Sequence, residues 1–156
     1  MLKLDKTLKE KAELLEGTNW LGSFTWKEIE IFARYVEVFR VQAGDSIFQE
    51  GGKDASFCLI VEGSVQIVKE DAETRKKILS VITRGKTVGE MALFDGEPRS
   101  ASAIAAESAM IMMLTKDSFD RLIRELPGLA AKLLLVLGKL LSQRLRQTSG
   151  KLIDFI

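Results

Sequence analysis

The stretch Phe57–Val68, FCLIVEGSVQIV, carries the first decision about the fold. It holds two runs rich in β-branched and apolar residues, separated by Gly63. Such residues favour extended backbone, and a glycine between two such runs marks a turn. Val65-Gln66-Ile67-Val68-Lys69 has the alternation of a half-buried strand. The same texture continues in both directions. Val38–Val41, Ser46–Phe48, Lys77–Ile82, Ser102–Ala105 and Met110–Leu114 read as further strands. Gly44, Gly51, Gly52, Gly85, Gly89 and Gly96 punctuate them. Many short strands with glycine-marked turns indicate a sandwich or barrel of the jelly-roll kind.

Helical periodicity flanks this region. Leu4, Leu8, Ala12 and Leu15 predict an amphipathic helix over residues 4–16, stopped by Gly17. A second helix is expected to start near Thr25, three residues before Glu28, which is capping-box spacing. Its apolar face is Ile29, Phe32, Ala33 and Val36. Beyond Leu114, Thr115 or Asp117 caps a short helix carrying Phe119, Leu122 and Ile123. Pro127 suits the first turn of a long helix reaching to about Ser149. Leu129, Leu133, Val136 and Leu140 form one stripe of it, and Ala130, Leu134, Leu137 and Leu141 form another. That face is wider than a helix covering one small barrel needs. Either the helix is deeply buried, or its second side packs on a twin subunit, giving a homodimer through residues 127–150. The expected architecture is a single α+β domain over residues 1–156. N-terminal helices occupy 1–36, a β-roll 37–114 and C-terminal helices 115–150.

Composition limits the chemistry. The 156 residues fit one domain. Lys plus Arg is 23 and Asp plus Glu is 22, so the net charge of +1 gives no general attraction to nucleic acid or an anionic membrane. There is no histidine. This excludes His-based acid–base catalysis, Ser-His or Cys-His nucleophiles, and His-ligated zinc or haem. The single cysteine, Cys58, excludes an intrachain disulfide and reads as a buried structural thiol in FCLIV. A binding module is expected rather than an enzyme, with no catalytic residues and no metal. The start, MLKLDKTLKEKAELLEG, has no apolar leader segment. Leu126–Leu141 is broken by Lys132, Gly138 and Lys139, too soon for a membrane span. A cytoplasmic chain with no membrane partner is therefore expected. Arg75, Lys76 and Lys77 read as a solvated hairpin.

The chemistry concentrates in VGEMALFDGEPRSASAIA, residues 88–105. Met91–Phe94 can form one helical turn whose first N–H groups lack partners within the helix. Gly89 allows close backbone approach, and Arg99 offers a fork suited to a phosphate. Glu90 does not suit a bare phosphate but can accept a hydrogen bond from a sugar hydroxyl. Together Glu90 and Arg99 fit a phosphorylated sugar. The plainer alternative is an ion pair between them that steadies a loop.

GEMALFDGEPRSA resembles the phosphate-binding cassette of the cyclic nucleotide-binding domain family. AGDSIFQEG at 43–51, FCLIVEGSVQIV at 57–68, ILSVITRGKTVGE at 78–90 and FDRLIRELPGLAAKLL at 119–134 extend the likeness over about residues 20–150. Within the family the chain is most similar to the ligand-sensing half of the bacterial catabolite activators. The resemblance implies a β-roll with the cassette over 88–102, and cyclic AMP, or else cyclic GMP, as ligand. It implies that Glu90 takes the ribose 2′-hydroxyl. Arg99 takes the cyclic phosphate, with Ser100 and the backbone around Gly89, Met91 and Ala92. Ile67, Leu79, Ser80 and Val88 form the wall beside base and sugar. RLRQTSGKL at 144–152 resembles a helix segment whose Thr-Ser pair touches the purine, so Thr148 and Ser149 are lid candidates. Counted from Pro127 that pair falls about one helical turn late, which makes Arg144 the other candidate. No recognition helix or basic stripe follows the long helix. DNA binding by this chain is therefore not expected, nor is a kinase or channel function. Two readings follow: a sensor signalling through its last helix to an unidentified protein, or a nucleotide-free structural or interaction module.

Overall fold

The computed structural model describes the backbone of residues 1–153 and the side chains of residues 1–150. Strand β1 is Leu2–Leu4 and helix α1 is Leu8–Gly17. The expected helix from residue 4 is corrected here. Thr7 forms a reciprocal capping box with Glu10, which fixes the start of α1. Leu4 instead pairs with Val38 on strand β2, Glu37–Val41. Helix α2, Trp26–Phe32, starts at the expected Thr25–Glu28 box. A 3-10 turn over Ala33–Tyr35 follows it, so Ala33 lies beyond α2 yet remains buried.

The central strands are β3 (Ser46–Phe48), β4 (Ser56–Glu62), β5 (Ser64–Glu70), β6 (Lys76–Thr83), β7 (Thr87–Val88), β8 (Ser102–Ala105) and β9 (Ala109–Thr115). Helix α3, Glu90–Asp95, interrupts them, and α4 (Lys116–Glu125) and α5 (Pro127–Ile153) close the chain. The strands form two antiparallel sheets, ordered β1-β2-β9-β4-β7 and β3-β8-β5-β6. This is the expected roll, with helices against one sheet.

The apolar run FCLIV is explained by β4 being buried on both faces. Phe57, Leu59 and Val61 face the helices with Phe32, Leu114, Leu133 and Leu137. Cys58 and Ile60 face the roll interior with Val65, Val88, Ala103 and Ile111. Gly63 turns β4 into β5 at φ +81°, where an added Cβ would stand 2.6 Å from the Ser108 carbonyl.

Helix α5 lays Leu129, Ala130, Leu133 and Leu137 against the sheet. Arg144 lies seven residues beyond Leu137, two turns further on the same side. Leu135 and Leu145, on the other side, are 74% and 68% exposed. Each expected stripe is thus buried in part, through Leu129 and Leu133 of one and Ala130 and Leu137 of the other, and the uncovered side is a third face of the helix. Among the described residues, no helix is long and apolar enough to cross a membrane.

Leu133→Ala is expected to lower stability by about 2–5 kcal/mol, because Leu133 is fully buried under α5. Leu79→Ala, on the exposed strand β6, should stay within about 0.5 kcal/mol of wild type. Urea unfolding of the two variants measures both.

Candidate functional site

The site is built where β7 runs into α3. Gly89 joins them at φ +83°, in the left-handed region. An added Cβ there would lie 2.7 Å from Nη1 of Arg99 and 3.1 Å from the Ser56 carbonyl. Conformation and space both demand glycine. Gly96 ends α3 at φ +67°, and the chain then returns through Arg99 to β8.

Arg99 is only 5% exposed. Its backbone is clamped to the loop before β4: Arg99 N–H donates to the Gly52 carbonyl, and Gly51 N–H donates to the Arg99 carbonyl, both at 2.8 Å. Nη2 donates to Asp54 Oδ2 at 2.8 Å and to the Ser56 carbonyl at 2.6 Å. Nη1 donates to the Gly89 carbonyl at 2.9 Å. The guanidinium lies 4.0 Å from the centre of the Phe48 ring, a cation–π contact. Burial pushes the Asp54 carboxyl up, but the Arg99 hydrogen bond and charge outweigh it and hold the group below its ordinary range. Sequence reading missed Phe48, Asp54 and Ser56. Their only local signal is that they border β3 and β4.

The alternative of a Glu90–Arg99 ion pair is corrected. Arg99 pairs with Asp54, and Glu90 pairs with Arg144. Glu90 is 2% exposed. Arg144 bridges from α5 with two donors: Nη1 bonds Glu90 Oε1, and Nη2 donates to the Thr87 carbonyl at 2.8 Å. Glu90 Oε2 has no partner among the described residues. Its desolvation is thus half compensated by α5 and half open.

A cavity of about 390 Å³ lies over these groups. Of the wall residues expected, Ile67, Ser80 and Val88 line it, joined by Ile82 and Phe48. Cassette residues Gly89, Glu90, Met91, Ala92, Arg99 and Ser100 line it, and so does Arg144. Leu79 does not, and is 59% exposed. Successive side chains of a strand point to opposite faces, and Ser80 and Ile82 take the inner one. Thr148 and Ser149 are exposed and do not line the cavity, and the Thr148 hydroxyl donates to the Arg144 carbonyl within α5. Arg144 does line the cavity, where its guanidinium is held at Glu90. The buried Cys58 thiol is pushed up to about 12 by desolvation and carries no reactivity at neutral pH. Among the described residues no cluster of His, Cys, Asp and Glu could hold a metal ion.

Comparison with known proteins agrees with this geometry. The sequence profile of the cyclic nucleotide-binding domain matches residues 38–125. The cyclic AMP receptor protein of Thermus thermophilus is 29% identical over 138 residues, covering 88% of this chain and 62% of that protein. The cAMP-dependent protein kinase regulatory subunit of Aspergillus fumigatus is 32% identical over 109 residues, covering 70% of this chain and 26% of the subunit. This chain therefore spans less than two-thirds of either relative. A cyclic nucleotide-binding domain from Methylobacillus flagellatus superposes with a TM-score of 0.87 at 26% identity, over 99% of this chain and 89% of that one. The catabolite activator protein of Thermus thermophilus superposes with a TM-score of 0.74 at 28% identity, over 85% of this chain and 61% of that one. Matching sequence, fold and cassette geometry together show that the chain belongs to the cyclic nucleotide-binding domain family.

Proposed function

We propose that this chain is a cyclic nucleotide sensor that prefers cyclic AMP to cyclic GMP. In this reading it acts as a homodimer and reports ligand state through α5 to a partner protein. One observation carries it. A single cavity presents a buried guanidinium and a buried carboxylate, and each keeps a bonding position open. Nη1 of Arg99 has two hydrogens and uses one on Gly89. The other is available to a phosphate oxygen, and Ser100, Met91 and Ala92 line the same cavity. Glu90 Oε2 is available to the ribose, and Ile67, Ser80 and Val88 wall the base and sugar. The names of the relatives support cyclic AMP.

The dimer is supported by the uncovered side of α5. Gly128, Ala131, Leu135, Gly138, Ser142 and Leu145 repeat at alternating spacings of three and four, and all are exposed. This is a coiled-coil seam without a charge on it. Lys132, Lys139 and Arg146 follow on one flank, and Leu134, Leu141 and Thr148 on the other. Parallel pairing sets each basic flank against the uncharged flank of the second copy. Antiparallel pairing sets basic against basic, which is unfavourable. Thr148 and Ser149 lie at the far end of this seam. They reach a purine only through such pairing.

A second reading, a nucleotide-free interaction module, has one observation in its favour. A buried guanidinium without partners is costly, which weighs against a ligand-free site unless the protein itself pairs it. Asp54, Ser56 and Gly89 satisfy most of it without any ligand.

Thermal unfolding separates the two. After removal of carried-over nucleotide, cyclic AMP at about 100 times its dissociation constant adds roughly 2.7 kcal/mol to the native state. The midpoint should then rise by about 5–10 °C. Arg99→Ala should lose most of that rise, whereas no rise with either cyclic nucleotide supports the module. Asp54 contributes stability above its unfolded value near 4, and this is lost as pH falls through its lower folded value. The stability gap between wild type and Asp54→Asn in urea unfolding should therefore narrow progressively as pH falls below about 4. Leu135→Glu with Leu145→Glu should convert a dimer to monomer by light scattering.

A further inference from the structure

Strand β6 carries two unlike faces. Ser80 and Ile82 turn inward and line the cavity. Ile78 stands opposite Val68 and Val81 opposite Gln66, on the other face from the inward Val65 and Ile67. Leu79, left without a partner by a shift in register, divides the two sets. Ile78, Leu79 and Val81 are 58%, 59% and 50% exposed. Three large apolar side chains within four residues thus stand in water. The backbone beside them is open as well. β6 ends the sheet β3-β8-β5-β6, and its outer edge pairs with no strand among the described residues. Such an edge is a template for another extended chain.

The charge along this edge has one sign. Residues 76–86, KKILSVITRGK, contain Lys76, Lys77, Arg84 and Lys86 and no carboxylate. Arg84 is tied to the Gly17 carbonyl. Lys76, Lys77 and Lys86 have no ion-pair partner among the described residues. Glu70 is the register partner of Lys76, yet no ion pair joins them. Other acids near the hairpin are taken: Glu50 by Lys69, and Asp71 and Glu73 by Arg75.

An occupant of this edge has three demands to meet. The edge needs backbone donors and acceptors, the Ile78–Val81 face needs apolar side chains, and the basic ends need negative charge. An anionic lipid surface meets the last two but has no strand to offer. An extended acidic segment with apolar residues at alternate positions meets all three.

We infer that β6 is a docking edge for such a segment of another protein, which adds to the sheet as a further strand. The inference goes beyond the sensor reading and does not require a bound nucleotide.

The probe is an eight-residue peptide alternating glutamate and valine, matched to the 8 residues of β6. A peptide alternating lysine and valine is the control. Fluorescence anisotropy gives the affinity, and hydrogen–deuterium exchange locates the contact. The acidic peptide should bind, protect the amides of β6 and lose affinity as salt rises. The lysine peptide should bind at least about tenfold more weakly. Leu79→Asp and Lys77→Glu, both at exposed positions, should each weaken the acidic peptide by about tenfold. No binding, equal binding of the two peptides, or protection away from β6 would overturn the inference. So would a fall in molecular mass for Leu79→Asp by light scattering, which gives the edge to a second copy. Binding of phosphatidylserine vesicles without binding of the peptide gives it to a membrane and also overturns the inference. Each of these outcomes leaves the sensor reading as it stands.

Discussion

A carboxylate buried to 2% exposure sets the constraint around which this structure is arranged. An isolated buried charge is strongly unfavourable, so Glu90 needs a partner. The partner comes from a residue 54 positions away, Arg144, on the last helix. That pair ties the cassette to α5 at the point where the cavity opens. Leu133 and Leu137 bring the helix to the right height, and the left-handed turn at Gly89 brings the carboxylate to meet it. Removing either contribution leaves a charge buried without compensation.

The cassette therefore has two unequal halves. Arg99 is held by the body of the roll, through Asp54, Ser56 and the Gly51–Gly52 loop, and has little freedom. Glu90 is held by α5, a helix with an uncovered side. A ligand on Arg99 meets a rigid wall, while a ligand on Glu90 meets a group whose other oxygen is already bonded to α5. Ligand binding and helix position thus share one carboxylate. In the proposed sensor this is the route of coupling, since a ligand shifts an equilibrium only by its differential affinity for two states.

Much of this was legible locally. The strand pattern over residues 38–114 and the Thr25–Glu28 box depend on neighbouring residues, and both appear as read except for the two-residue strand β7, which the pattern did not mark. The cassette was readable because Gly89, Glu90, Arg99 and the small residues after it lie close together in the chain. What could not be read is nonlocal. Strand β1 exists because β2 supplies its hydrogen bonds, and Leu4 alone fits a helical stripe equally well. Asp54 lies 45 residues from the guanidinium it pairs with. Leu79 failed on parity, since a strand reading displaced by one residue exchanges inner for outer faces. Arg144 was singled out for the cavity it lines, but its pairing with Glu90 was not legible, because helix spacing gives the height of a side chain and not what it meets.

The most direct test of the shared carboxylate is hydrogen–deuterium exchange with and without saturating cyclic AMP. The account predicts changed protection both in the cassette, residues 88–102, and in α5 around Arg144. It also predicts that Arg144→Gln, which unties the helix from Glu90, removes the α5 change while the cassette change persists. Protection confined to the cassette in wild type, with α5 unaltered, would contradict it.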